Sequence, residues 1–325
     1  MNQTKFSLAD VLTVLAALTF GFVCFLGANF LNINNDRVWG MSHTTGCVIM
    51  AVFCAMVLFG TVFGAKLLKR TSRNFKTCFV GEVILLTLFV LFAVFFATKT
   101  SPFSHYFTVT AKKSMINSKL QTSITQAENM FAAYESYALD RENLYKKTLE
   151  KVANAKGTND KKYKAFGFQY NGISDDKQIE AKMFTVHADL FPTDYSDPIA
   201  KNGRKEVATK WLQNAKNITT SWKPIGIVGV VNNIQKNSNE WLNTLVTLSQ
   251  VREQSEQTTP FDYKLSFDDV KTHFTKLDSP IPLSIGLAML AYILMLLSWF
   301  VTIRSTRFPG LKFLFGLGKS SDNEL

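Results

Sequence analysis

One carboxylate stands inside an otherwise uncharged apolar run: Glu82, within "TCFVGEVILLTLFVLFAVFFA" at 77–97. Charge is costly in hydrocarbon, so an acid there marks a proton relay, an ion-coordinating group or one half of an ion pair. Glu82 lies about five residues, roughly 8 Å, from the start of the run, within reach of Lys76 or Lys66. A coupled transporter would also break its helices near mid-membrane around such a site, and these runs show little interruption. Pairing is therefore the preferred reading, and Glu82 stays the intramembrane functional candidate.

Other chemistry finds no anchor. His43, His105, His187 and His273 are scattered, with no second histidine or cysteine at ligand spacing and no H-E-x-x-H. "FGLGKSS" near the C-terminus resembles the end of a phosphate loop, but Phe313 stands where the first glycine belongs. It reads as a basic tail beside anionic headgroups. No G-x-S-x-G elbow is present. Asp175-Asp176 and Asp268-Asp269 lack the alternating oxygens and central glycine of a calcium loop, and read as charges at helix N-termini. No catalytic residue, metal site or cofactor is expected.

The runs that would surround Glu82 are four: 11–31, 44–65, 77–97 and 281–303. Each reaches the ~20 apolar residues a helix needs to span a bilayer. Lys66, Lys69, Arg70, Arg73 and Lys76 fill the link 66–76, and Arg304, Arg307, Lys312 and Lys319 lie in the tail 304–325. Basic flanks stay cytoplasmic, so both termini and that link are expected inside, with residues 99–280 outside. The first run exceeds a signal-peptide h-region, follows only Lys5 and lacks an A-x-A site, so a retained anchor is expected. Ala17-x-x-x-Gly21 and Gly60-x-x-x-Gly64 would allow close helix approach. That packing could lie within one chain or between the copies of a homo-oligomer.

About half of the net charge of +11 lies in the link and tail. Residues 99–280 carry 25 basic and 20 acidic residues, spread evenly, which argues against a nucleic-acid surface. Cys24, Cys47, Cys54 and Cys78 all fall in the runs or at their edges, and 99–280 has none. A secreted animal domain of that size often uses disulfides, so a bacterial inner membrane is favoured. The triplet Asn217-Ile218-Thr219 leaves a eukaryotic origin as the minority reading.

Within 99–280, Ile116, Leu120, Ile124, Ala127, Phe131, Tyr134 and Ala138 recur three and four apart. Arg141 interrupts this seam before Tyr145, Leu149 and Val152 resume it, which predicts one stalk helix over about 112–155. Such a stripe must be covered. The expected cover is a helix from Pro224 bearing Val231, Ile234, Trp241, Leu245, Leu248 and Val251. Further helices are predicted from "RKEVATKWLQNAKNITTSW", "DKQIEAKMFTVHADL" and "SFDDVKTHFTKLDSP". "FDYKLSF" and "AFGFQYNG" alternate with period two and predict a small sheet of two or three strands.

The expected fold is thus an integral membrane α-helical protein. Four transmembrane helices carry a mainly helical extracytoplasmic domain, with a small β component, between the third and fourth. Three functions fit. The leading one is a binding, scaffold or sensor-like component of a cell-envelope complex, with the bilayer and an envelope protein as partners. The second is a channel, transporter or ion-driven motor subunit using Glu82, and the third an enzyme whose site carries no familiar motif.

Overall fold

The first helix starts at a capping box. Ser7 Oγ accepts from the Asp10 amide at 3.3 Å, and Asp10 Oδ2 accepts from the Ser7 amide at 3.1 Å. The Ser7 amide is thereby satisfied, and the Asp10 amide, which also donates to the Ser7 carbonyl at 2.9 Å, is shared between the two Ser7 oxygens. The computed structural model describes residues 7–71, 74–197, 199–200, 202–250 and 258–304. "FGLGKSS", Lys5, Arg73, Val251 and the tail lysines lie outside the described residues. The chain forms two compact units, Met1–Ser114 with Lys271–Leu325, and Met115–Val270.

The first unit holds α1 (Leu8–Leu31), β1 (Arg37–Val38), β2 (Met41–Ser42), α2 (His43–Arg70), α3 (Phe75–Phe96) and α4 (Pro102–Ala111). It is completed by α10 (Lys271–Thr275) and α11 (Pro282–Val301). Among the described residues, α1, α2, α3 and α11 are the four helices long and apolar enough to cross a membrane. Between the first two, β1 and β2 pair antiparallel around Trp39 and Gly40, at φ 53° and 77°. A two-residue primed turn needs positive φ at both positions; glycine adopts it freely, tryptophan does not.

Phe20 centres the packing of this unit. It stacks on Phe103 at 4.7 Å and meets Phe96 edge-on at 6.0 Å. The Tyr292 ring lies 5.8 Å away, its hydroxyl bonded to the Ala93 carbonyl at 3.1 Å. α4 lies directly on α1 because Gly27 has no side chain: a Cβ there would fall 1.7 Å from the Pro102 carbonyl oxygen. α10 is held alongside. Phe274 packs edge-on against Phe30 at 5.3 Å, and its carbonyl lies 2.7 Å from His105 Nε2. Both short helices therefore belong with the apolar ones. The divide falls at 114/115 and 270/271, inside the 99–280 segment delimited by hydropathy.

The second unit is built on α5 (Lys113–Asn154), which begins just before the divide, with α6 (Asp160–Ala165), α7 (Asp175–Leu190), α8 (Arg204–Thr220) and α9 (Pro224–Leu248). The whole α5 seam is buried, Arg141 included. Its Nη1 donates to the Ser249 carbonyl at 2.6 Å, so the residue read as an interruption is part of the seam. α7 covers the distal half of α5, where Tyr145, Leu149 and Val152 share a core with Ile179, Val186 and Leu190. α8 runs antiparallel to α5, from the Lys205–Glu135 pair at its start to Thr219 Oγ1, which accepts from Gln121 Nε2 at 2.5 Å, at its end. α9 runs parallel to it, from Trp241 beside Phe131 at 5.9 Å to Ser249 beneath Arg141.

Neither segment predicted as a strand is one. Residues 166–171 and 261–267 include no strand, and the two-stranded sheet lies instead between α1 and α2. The alternation in "FDYKLSF" is nevertheless real. Phe261 is buried and its neighbours alternate in exposure, because residues 259–268 lie as an extended strap along α5. Tyr137 Oη donates to the Thr259 carbonyl at 2.6 Å, Phe261 packs on Tyr134 at 5.4 Å, and the Ser266 amide donates to Gln126 Oε1 at 3.1 Å. Asp268 then pairs with Lys119 at 3.7 Å. Nine steps of extended chain cover about 30 Å; the eighteen helical steps from Tyr137 to Lys119 cover about 27 Å. The strap's apolar side is buried against a helix face, so no strand is needed beside it. "AFGFQYNG" is held in the same manner. Phe168 stacks on Tyr163 at 4.9 Å, and the Gln169 amide donates to Gln178 Oε1 at 2.8 Å.

Candidate functional site

Glu82 is 1% exposed, and its partners come from the C-terminal end of α11 and the residues just beyond it. Trp299 Nε1 donates to Oε1 at 3.0 Å. Arg304 Nη2 lies 2.7 Å from Oε2, an ionic contact without hydrogen-bond alignment. The Arg304 guanidinium also lies over the Phe79 ring at 5.1 Å, one helical turn before Glu82. Lys69 completes the group: its Nζ donates to the Trp299 carbonyl at 2.9 Å and sits over the indole ring at 4.3 Å.

A second polar group occupies the same end of the helix bundle. Asp10 accepts from Lys66 Nζ and from Ser298 Oγ through one carboxylate oxygen, while the other oxygen caps α1. Thr13 bridges one turn deeper. Its hydroxyl lies 3.1 Å from the Met295 carbonyl, and it accepts from the Ser298 amide at 3.3 Å. Lys66 and Lys69 stand three apart on α2 and so share a face; Ser298 and Trp299 are adjacent on α11. Two acids and three bases are thereby engaged across all four apolar helices, close to their ends. A charge left alone in such a setting costs several kcal/mol, and pairing with hydrogen bonding offsets much of that.

The expected partners of Glu82 were Lys76 or Lys66. Lys66 is engaged by Asp10, and Arg304 is the base at Glu82. Asp10, Ser298 and Trp299 escaped the sequence reading. The signal was present: an acid in the first turn of one apolar run, and two lysines three apart at the end of the next. The expected topology already put these ends on one side; which helices lie side by side there is fixed only by the tertiary packing.

Of the small residues, Ala17 is buried, and a Cβ on Gly21 would lie 3.1 Å from Ala55 Cβ. One on Gly64 would lie 2.9 Å from Leu85 Cδ1, while Gly60 faces open space. Gly27 and Gly46, not singled out from sequence, are the tighter positions: a Cβ on Gly46 would sit 2.5 Å from Val38 Cβ.

The histidines are held apart. His43 bridges the Asn35 carbonyl and Asn29 Oδ1, each at 2.8 Å, and His187 Nδ1 lies 2.8 Å from Glu142 Oε1. Among the described residues no three His, Cys, Asp or Glu side chains gather as a metal-holding group. Asp175 and Asp176 occupy the first turn of α7, where the helix dipole favours anions.

The second unit contains a recess of about 210 Å³ where α8 and α9 meet α5. Its walls are Phe131, Tyr195, Trp241 and Leu245, and Arg204 and Asn202 stand among the lining residues. Comparison with family models, with characterised proteins and with solved structures finds no match to this chain.

Proposed function

We propose that the chain is a membrane-anchored binding or scaffold component of a cell-envelope complex, without catalytic activity of its own. In this reading the four apolar helices are the anchor, both termini are cytoplasmic, and the helical unit is presented outside the plasma membrane, in a bacterium the inner membrane. The observation that carries the proposal is the mutual engagement of Asp10, Lys66, Ser298, Glu82, Trp299 and Arg304. A conduit needs an ionisable group free to exchange its ion or proton along a path. Here the acids are engaged by bases and donors near the helix ends, which is how a fixed bundle would keep them. The helical unit, with its buried seam and aromatic recess, is then the part available for recognition.

The test has two arms. Single cysteines placed in the link at Thr71 and in the helical unit at Tyr170, on a background lacking the four native cysteines, are labelled in intact cells with a membrane-impermeant maleimide. Labelling at 170 and protection at 71 supports the orientation; the reverse pattern overturns it. Reconstitution in liposomes then decides the class. Ion flux abolished by Glu82→Gln would replace the anchor reading with a channel or transporter. No flux, together with stoichiometric co-isolation of an envelope partner that depends on the helical unit, supports it.

A further inference from the structure

We propose that the recess between α8 and α9 binds a small planar aromatic acid, the ring held among Phe131, Tyr195 and Trp241 and the carboxylate placed on Arg204. The proposal rests on the helical unit being a recognition module and names what it recognises. Size is the first argument. An apolar cavity of about 150 Å³ accepts benzene, so about 210 Å³ suits one ring with a short substituent.

The shape of the walls is the second. Phe131 and Tyr195 are buried, contributed by α5 and by the loop before α8. Trp241 is fixed between Phe131, tilted at 51° and 5.9 Å away, and Trp211, edge-on at 70° and 5.8 Å. An entering ring therefore meets aromatic surfaces already held in position, and offset or edge-on ring pairs add attraction beyond simple burial. Little of the binding energy would be lost to ordering the site.

The mouth supplies the acid preference. Val207, in the first turn of α8, is 56% exposed and lines the opening. Arg204 is the charged residue among the lining residues. Its Nη2 lies 2.7 Å from Asp194 Oδ2, and both side chains are 57% exposed. Exposed pairs of this kind hold weakly, so an incoming carboxylate can take the place of Asp194, and the planar guanidinium matches it through two parallel bonds. The loop bearing Asp194 and Tyr195 is independently pinned to the start of α8, with the Arg204 and Lys205 amides each donating to its carbonyls at 2.9 Å. Exchange at Arg204 leaves that wall in place.

The experiment uses the full chain in lipid nanodiscs, labelled with 5-fluorotryptophan, and follows the Trp241 resonance identified by Trp241→Phe. The probes are phenylacetate, its neutral analogue phenylacetamide, and cyclohexylacetate. Phenylacetate is expected to shift the Trp241 signal saturably. Removal of the ligand charge should weaken binding about fivefold, the size of an exposed ion pair, and loss of the aromatic ring should weaken it as well. Arg204→Gln should abolish the preference for acid over amide, and Val207→Trp, which fills the mouth, should abolish binding while the other fluorotryptophan signals stay unchanged. Absence of a saturable shift at millimolar phenylacetate, equal affinity for acid and amide, or undiminished binding to Val207→Trp overturns the site. None of these touches the anchor reading, which stands or falls on the labelling and flux measurements.

Discussion

Arg304 brings its guanidinium to 2.7 Å from the Glu82 carboxylate, joining the segment just beyond α11 to the second turn of α3. Glu82 is far more deeply buried than Arg304, with side-chain exposures of 2% and 20%. Removing the base should therefore hurt more than removing both. Arg304→Ala removes the base in contact with a buried acid, leaving the Trp299 indole as its hydrogen-bond donor, and is expected to cost on the order of 3 kcal/mol. In Glu82→Gln with Arg304→Gln neither charge remains, and most of that loss should return. A double-mutant cycle in thermal unfolding of the nanodisc-embedded protein measures the coupling.

Gly27 and Gly60 make an internal control for close helix approach. At Gly27 a Cβ would meet the Pro102 backbone at 1.7 Å, and backbone yields only if α4 moves off α1. Gly27→Ala should then cost about 1–3 kcal/mol or more, as overpacking does. Gly60 faces open space, so Gly60→Ala should change stability by less than about 1 kcal/mol. Equal melting temperatures for the two variants would refute the assigned contact.

The difference between those glycines also marks where sequence reading stops. Small residues four apart are visible in a string, but which of them touches a backbone is not. The α5 seam was legible because three-and-four spacing is local to one helix. Arg141 was misread because its acceptor, the Ser249 carbonyl, lies at the end of another helix. Period two in "FDYKLSF" correctly reported extended chain with one buried side, but it says nothing of the neighbour, which is helix α5 rather than a strand. Glu82 was legible as an acid needing a base. The choice of Arg304 over Lys66 or Lys76 depends on which helix ends meet.

Arg141 supplies a test of the seam. Arg141→Met keeps much of the apolar stem but leaves the Ser249 carbonyl without its 2.6 Å donor. A buried acceptor left unpaired costs about 1–3 kcal/mol, and the neighbouring strap should loosen with it, because the Phe261 amide donates to Ser249 Oγ at 2.8 Å. Hydrogen exchange should accelerate at Phe261 in the variant. Protection equal to that of the parent would show that the strap is held by its contacts with α5 alone.

His105 predicts a pH dependence in the joint between α4 and α10. Burial, the largest influence, holds its pKa below the usual histidine value of 6.5; the Phe274 carbonyl and Asp278 act in the opposite direction, and Lys112 adds to the lowering. Asp278 itself is pulled below the usual carboxylate range, chiefly by its hydrogen bond from Lys112, so it stays charged through the same interval. The folded state thus binds the histidine proton less readily than the unfolded state does. Its contribution to stability is full above pH ~6.5 and falls as pH drops through the folded value. Acidification from pH 7.5 to 5.5 should lower the melting temperature and speed hydrogen exchange across Lys271–Thr275. In His105→Gln, whose amide still donates to the Phe274 carbonyl but does not titrate, that part of the pH dependence should disappear. An identical pH profile in parent and variant would mean that His105 stays neutral, or exchanges protons freely, in both states.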